Sequence, residues 1–155
     1  MISKARGVCI SALVLMCLTV ADLNAAAAGN VIQPKPADVQ FISAEELKSK
    51  ISNNETIAII DVRSSSGLLE ADNKIKGAVY VKLRRLKSRL GLPPLKDVPR
   101  NREVVTYCAC PNDESSIHAA QVLTDAGFTR VRVLKGGWVA WKKMNGQVEP
   151  LAKVM

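Results

Sequence analysis

Aromatic residues make up 4% of this 155-residue sequence, two each of Trp, Tyr and Phe, and there is a single histidine, His118. No basic stretch is interleaved with aromatics, so the stacking surfaces of a nucleic-acid binder are missing despite the excess of 22 basic over 14 acidic residues. Cysteine is scarce too, four in all. Cys9 and Cys17 lie in the apolar N-terminal stretch, which leaves Cys108 and Cys110 for the rest of the chain. Two cysteines are too few for the disulfide framework of a small secreted scaffold, and Cys-x-Cys spacing is poorly suited to an unstrained bridge. Cys108, Cys110 and His118 have no fourth ligand within sequence reach, so a Cu(I) or Zn site is not expected, and no other cofactor is called for. The longest apolar run, Val8 to Ala21, is about 14 residues, short of the roughly 20 that cross a bilayer as a helix.

That run does fit a secretory signal. Lys4 and Arg6 precede it, and Asn24 with Ala25 to Ala28 supply small residues for cleavage. The expected organisation is a signal peptide over 1–28, a Pro-containing linker over 29–38, one domain over 39–150 and a frayed tail over 151–155. The alternative is an uncleaved anchor. After cleavage no membrane insertion is expected, and the protein is exported, periplasmic or secreted. Without Lys4, Arg6 and Asp22 the balance is 20 basic against 13 acidic residues, about +7, which reads as a solvated basic surface.

From Val39 onward strands and helices alternate. Val39 to Ile42 is a short strand, and Ser43-Ala44-Glu45-Glu46 is a capping box that opens a helix to about Ser52. Thr56 to Val62 is a continuous apolar run of the kind buried on both faces of a parallel sheet. Ser64 to Gly67 reads as a turn, Leu68 to Asn73 as a short helical piece, and Ile75 to Val81 as a lead into a third strand. Lys82 to Leu90 sets Leu83, Leu86 and Leu90 against Arg84, Arg85, Lys87 and Arg89, an amphipathic helix with a solvated basic face. Val104 to Tyr107 is a fourth strand. After Pro111 the period becomes helical, with Asp113, Ser115 or Ser116 to cap and Gly127 to stop. Thr129 to Leu134 is a fifth strand, and a final helix follows Gly136-Gly137. The alternation predicts a three-layer parallel α/β domain.

The two thiols therefore fall in a strand-to-helix turn, outside the carboxyl end of a strand and in front of a helix N-terminus, where a thiolate is favoured. The candidate site is Cys108, or alternatively Cys110, with the loop Ala109, Cys110, Pro111, Asn112, Asp113, Glu114, Ser115 and Ser116. Asp61, Arg63 and His118 are supporting candidates. Asp61 and Arg63 read best as a structural ion pair, with Arg63 the nearest cation for an anionic substrate. Cys110 is a candidate resolving thiol. Trp138 and Trp141 read as core.

Four segments in order resemble a rhodanese-like domain over roughly Val39 to Pro150: Ile59-Ile60-Asp61-Val62-Arg63, Ile75-Lys76-Gly77-Ala78, Tyr107-Cys108, and Leu134-Lys135-Gly136-Gly137-Trp138 with Trp141. The resemblance implies a five-stranded parallel sheet flanked by helices. It also implies sulfurtransferase chemistry, in which a cysteine takes sulfane sulfur as a persulfide and passes it to a thiophilic acceptor. Lys74 stands where that family usually has histidine. The loop departs further, lacking the usual glycine and arginine and running about two residues longer. Counting from the strand makes Cys108 the sulfur carrier; counting back from the helix makes it Cys110. Strand position is the better guide, because loops absorb insertions. Asp113 and Glu114 are expected to oppose a dianion such as thiosulfate, favouring a small persulfide or polysulfide donor, or a protein thiol or persulfide, as partner. The other class of function left open is a non-catalytic binding or thiol-relay module.

Overall fold

The structure, a computed structural model, describes residues 39–69 and 72–151. The expected signal peptide and the linker over 29–38 lie outside the described residues, as does the tail beyond Leu151. Five strands, β1 (Gln40–Ile42), β2 (Ile57–Asp61), β4 (Val79–Tyr80), β5 (Glu103–Tyr107) and β6 (Arg130–Leu134), form one parallel sheet in the order β1-β6-β5-β2-β4. Helices α1 (Ala44–Ser52), α2 (Ser65–Leu69), α3 (Leu86–Arg89), α4 (Glu114–Asp125) and α5 (Gly137–Lys143) are interspersed among the strands.

Side chains alternate across a strand, so neighbouring apolar residues of β2 and β5 feed opposite layers. Ile59, Val105 and Tyr107 join Leu47, Leu134, Trp138 and Trp141 in one buried cluster, where α1 and α5 pack. Ile60 and Val104 join Leu86, Ala119, Leu123 and Phe128 in the other, where α3 and α4 pack. Both helix layers thus cover β5, every residue of which is buried. Its one carboxylate, Glu103, sits at the strand start and is met by Lys50, Arg130 and Arg132.

Helix α1 begins as its sequence dictates: the Ser43 hydroxyl accepts from the Glu46 N–H at 3.1 Å. The expected basic amphipathic helix is a 3-10 turn over Leu83–Arg85 that runs into α3. Its Leu86 and Leu90 are buried, while Arg84, Arg85, Lys87 and Arg89 are exposed.

Two expectations are corrected. The turn at Ser64 to Gly67 is already helical from Ser65, as α2. The helical piece expected to reach Asn73 gives way to a strand, β3 (Asn73–Ile75), though part of that stretch lies outside the described residues. Leu151, the first residue of the expected tail, donates its N–H to the Asp72 carbonyl at 2.8 Å, continuing an antiparallel pairing of β3 with β7 (Val148–Pro150). Lys74 closes that small sheet, donating to the Ala78 carbonyl at 2.6 Å and pairing with Glu149.

Candidate active site

The site is built where β2 and β5 end side by side, Asp61 opposite Tyr107. Asp61 is wholly buried and its carboxylate is crowded with donors. Arg63 offers its backbone N–H at 3.0 Å, Nε at 3.0 Å and Nη2 at 2.7 Å, and the Tyr107 hydroxyl donates at 2.7 Å. The Tyr107 oxygen in turn accepts the Ile75 N–H, and Arg63 Nη2 reaches the Asn73 carbonyl at 2.8 Å, so the strand ends are tied to β3. Burial, reinforced by the Asp61 carboxylate, pushes the Tyr107 phenol far above its ordinary value, so it stays a neutral donor. The Arg63 guanidinium lies 4.3 Å over the Trp138 ring. Its side chain is completely buried and paired with Asp61, with Nη1 left without a hydrogen-bond partner.

Cys108 follows β5 directly and is 1% exposed, packed against the apolar layer beneath α4. Its backbone carbonyl accepts the Trp138 N–H at 2.8 Å. That clasp needs Gly137: a Cβ there would sit 2.2 Å from the Cys108 oxygen, and the residue's φ of +47° is unfavourable for any other side chain. Ser116, in the first turn of α4, donates to the Asp113 carbonyl at 2.8 Å, with its hydroxyl 3.5 Å from Sγ of Cys108. When Cys108 is a thiolate, that hydroxyl is placed to donate to it instead.

Cys108 and Cys110 are joined as a disulfide, with their Cα atoms 5.8 Å apart. The loop between them brings the Cα atoms within the usual range of about 4.4–6.8 Å. Cys110 itself is half-buried.

A cavity of about 190 Å³ opens at the pair, lined by Cys108, Ala109, Cys110 and Ser115 of the loop and by Ser64, Ser66 and Gly67 of the α2 turn. Its lining carries no charged side chain. The α2 contribution was missed from sequence, where Ser64-Ser65-Ser66-Gly67 signalled only a turn. Beside it runs a larger groove of about 570 Å³, bordered by Val62, Arg63, Ser64 and Ser65 at the end of β2, by Lys82, Leu83 and Arg84, and by Ser115 and His118. His118 is exposed along that groove and not beside the sulfurs in the cavity. Pro111, Asn112 and Glu114 are exposed and do not line the cavity. Among the described residues no three His, Cys, Asp or Glu side chains converge as a metal site.

Asp113 departs from its expected role. It is 6% exposed, takes a left-handed φ of +56° and turns its carboxylate away from the cavity, to accept the Gly136 N–H at 2.8 Å. It precedes α4 without making the expected side-chain cap. Burial raises the Asp113 pKa above its ordinary value, only partly offset by that N–H donor. The turn before α5 therefore grips the loop twice, Gly136 on Asp113 and Trp138 on Cys108.

A rhodanese-like domain model matches residues 43–144, which take in four of the five parallel strands, β2, β4, β5 and β6, with the Asp61–Arg63 tie and the thiol loop. The chain belongs to the rhodanese-like domain family. A sulfurtransferase of Allochromatium vinosum is 27% identical over 105 residues, covering 68% of this chain and 90% of that protein. The crystal structure of Alr3790 from Anabaena is similar with a TM-score of 0.61 and 32% identity, over 73% of this chain and 84% of that one. BH2092 of Bacillus halodurans gives the same TM-score at 26% identity, over 72% and 77%. This rhodanese-like domain therefore has the five-stranded parallel α/β architecture its motifs implied, around a loop in which no arginine lies between Cys108 and Ser116.

Proposed function

We propose that the protein is a sulfurtransferase that carries sulfane sulfur as a persulfide on Cys108 and hands it to a thiophilic acceptor. The observation that carries this reading is the placement of Cys108: at the end of β5, lining a cavity, with the Ser116 hydroxyl of the α4 N-terminus within reach of its sulfur. With the bridge reduced, the Cys108 thiolate attacks the outer sulfur of a donor R–S–SH. The donor's S–S bond breaks, the thiolate RS⁻ leaves with the electron pair, and the sulfur stays on Cys108. An acceptor then attacks that outer sulfur and restores the thiolate.

The cavity lining supports a donor of low charge. Its walls are hydroxyls, backbone and sulfur, so a dianion entering it gives up hydration with no fixed cation in return. The reason differs from the one expected, since Asp113 faces Gly136; the direction is the same. Small alkyl persulfides and organic polysulfides fit, and thiosulfate fits poorly. Export of the protein belongs to the same reading, supported by the three-part pattern of residues 1–28. A mature chain beginning between Ala26 and Asn30 in mass analysis is expected, and Met1 retained in envelope-fractionated protein would refute it.

The test uses the Cys110→Ser protein, in which no bridge forms. Incubated with a low-molecular-weight alkyl persulfide, it gains the mass of one sulfur atom, and adding Cys108→Ser abolishes the gain. Uptake by Cys108→Ser with Cys110 intact would move the carrier to Cys110. No uptake by any of these proteins leaves the thiol-relay module, a reading favoured by the Cys108–Cys110 bridge itself.

A further inference from the structure

We propose that Cys110 resolves the Cys108 persulfide within the chain, so that each sulfur taken up leaves as hydrosulfide while the disulfide closes. This rests on Cys108 being the carrier, and it names the group that expels the sulfane sulfur as the protein's own second thiol. Three observations converge on it. The two sulfurs are bonded in the structure, so Cys110 reaches Sγ of Cys108, the inner sulfur of a persulfide. Both residues line one cavity of about 190 Å³, so Cys110 forms part of the wall around a persulfide on Cys108. Finally, Cys108 is buried and Cys110 half-buried, so the neighbouring thiol is the more accessible of the two to an outside reductant.

The step balances as follows. Cys110 enters as a thiolate, its proton passing to solvent, and attacks Sγ of Cys108. The bond between Sγ and the sulfane sulfur breaks, and the sulfane sulfur departs with the electron pair as HS⁻. The sulfane sulfur is reduced by two electrons and the two cysteine thiols are oxidised to the disulfide. A dithiol reductant from outside then reopens the bridge for the next cycle. Because only Ala109 separates the cysteines, the attack is intramolecular, and an effective concentration at or above the millimolar range lets it outrun free acceptors. No charged group lines the cavity to hold the HS⁻ that forms. The same loop thus serves as a reductase of sulfane sulfur, coupled to dithiols, where an enzyme with a lone cysteine would wait for an external acceptor.

The experiment is a single turnover on the full chain. Wild-type protein is reduced, freed of reductant without air, and given one equivalent of an alkyl persulfide, whose leaving group on attack at the outer sulfur is a thiol; attack at the inner sulfur would instead leave the alkyl mass on the Cys110 variants. The expected result is one equivalent of hydrosulfide per chain and an intact mass two hydrogens below that of the reduced chain, with no sulfur retained. Cys110→Ser and Cys110→Ala are expected to retain the sulfur and release at least tenfold less hydrosulfide in the same time. Wild-type protein that keeps its sulfur as the Cys110 variants do, or that passes it to Cys110 as a second persulfide, would overturn the resolving role and leave the carrier intact. Cys110 variants that take up no sulfur would remove the carrier and the resolving step together.

Discussion

Replacing Gly137 by alanine tests whether the turn before α5 holds the thiol loop in place. The added Cβ would lie 2.2 Å from the Cys108 carbonyl oxygen and 3.1 Å from its carbon, both backbone atoms that no rotamer change can move aside. Either the loop retreats and gives up the hydrogen bond from the Trp138 N–H, worth about 1 kcal/mol, or α5 shifts on Trp138 and Trp141. The left-handed backbone at φ +47° adds roughly 1–2 kcal/mol for any residue with a Cβ. Together these predict a loss of about 2–3 kcal/mol, a fall in Tm on the order of 10 °C for a domain of this size. Gly136→Ala is the matched control. Its φ of +72° carries the same backbone penalty, but its Cβ would meet only the Ala140 methyl, at 3.0 Å, and not the Cys108 backbone. In a Cys110→Ser background, single-turnover uptake of persulfide sulfur should therefore slow by about 10²-fold in Gly137→Ala, as expected when a reacting atom is displaced by an ångström, and by far less in Gly136→Ala. Equal uptake rates in the two variants, measured where both are folded by circular dichroism, would refute the clasp as the element that positions Cys108.

Arg63→Met should lose about 3–5 kcal/mol in denaturant titrations, because it leaves the buried Asp61 carboxylate without its charge partner. Asp113→Asn should flatten the dependence of stability on pH. Burial raises the Asp113 pKa in the folded chain above the ordinary 3.8, so the contribution of Asp113 to stability is fully present below that value and is lost as pH rises through the raised folded value. An asparagine oxygen can still accept the Gly136 N–H, so the variant should match or exceed the wild type in urea midpoint at neutral pH; a midpoint lower at neutral than at acid pH in both proteins alike would refute this. Ser115→Arg places a cation beside both the cavity and the groove, and should raise thiosulfate uptake by about tenfold, equivalent to 1.4 kcal/mol, more at low salt than at high. Unchanged uptake at every ionic strength would show that charge in the cavity is not what selects the donor.

Much of this fold is written locally. The 3.6-residue period after Pro111, the capping serine at Ser43 and the unbroken apolar run through Ile59 and Ile60 are properties of neighbouring residues, and they place α4, α1 and β2 without knowledge of distant partners. The motif at Asp61 to Arg63 and the glycine pair before Trp138 are equally visible, because an ion pair two residues apart and a tight turn leave a short signature. What tertiary structure decided are the contacts between residues far apart in the chain. Pairing of Asn73–Ile75 with Val148–Pro150 joins segments whose own patterns favour no strand. Asp113 looks like a helix cap and an anion-repelling charge until Gly136, 23 residues on, takes its carboxylate. The serines of α2 become cavity wall only once β2 and β5 lie side by side. The bridge between Cys108 and Cys110 depends on the same fact: spacing limits how two thiols can meet, but the path of the loop between β5 and α4, held from outside by Gly136 and Trp138, sets whether they do.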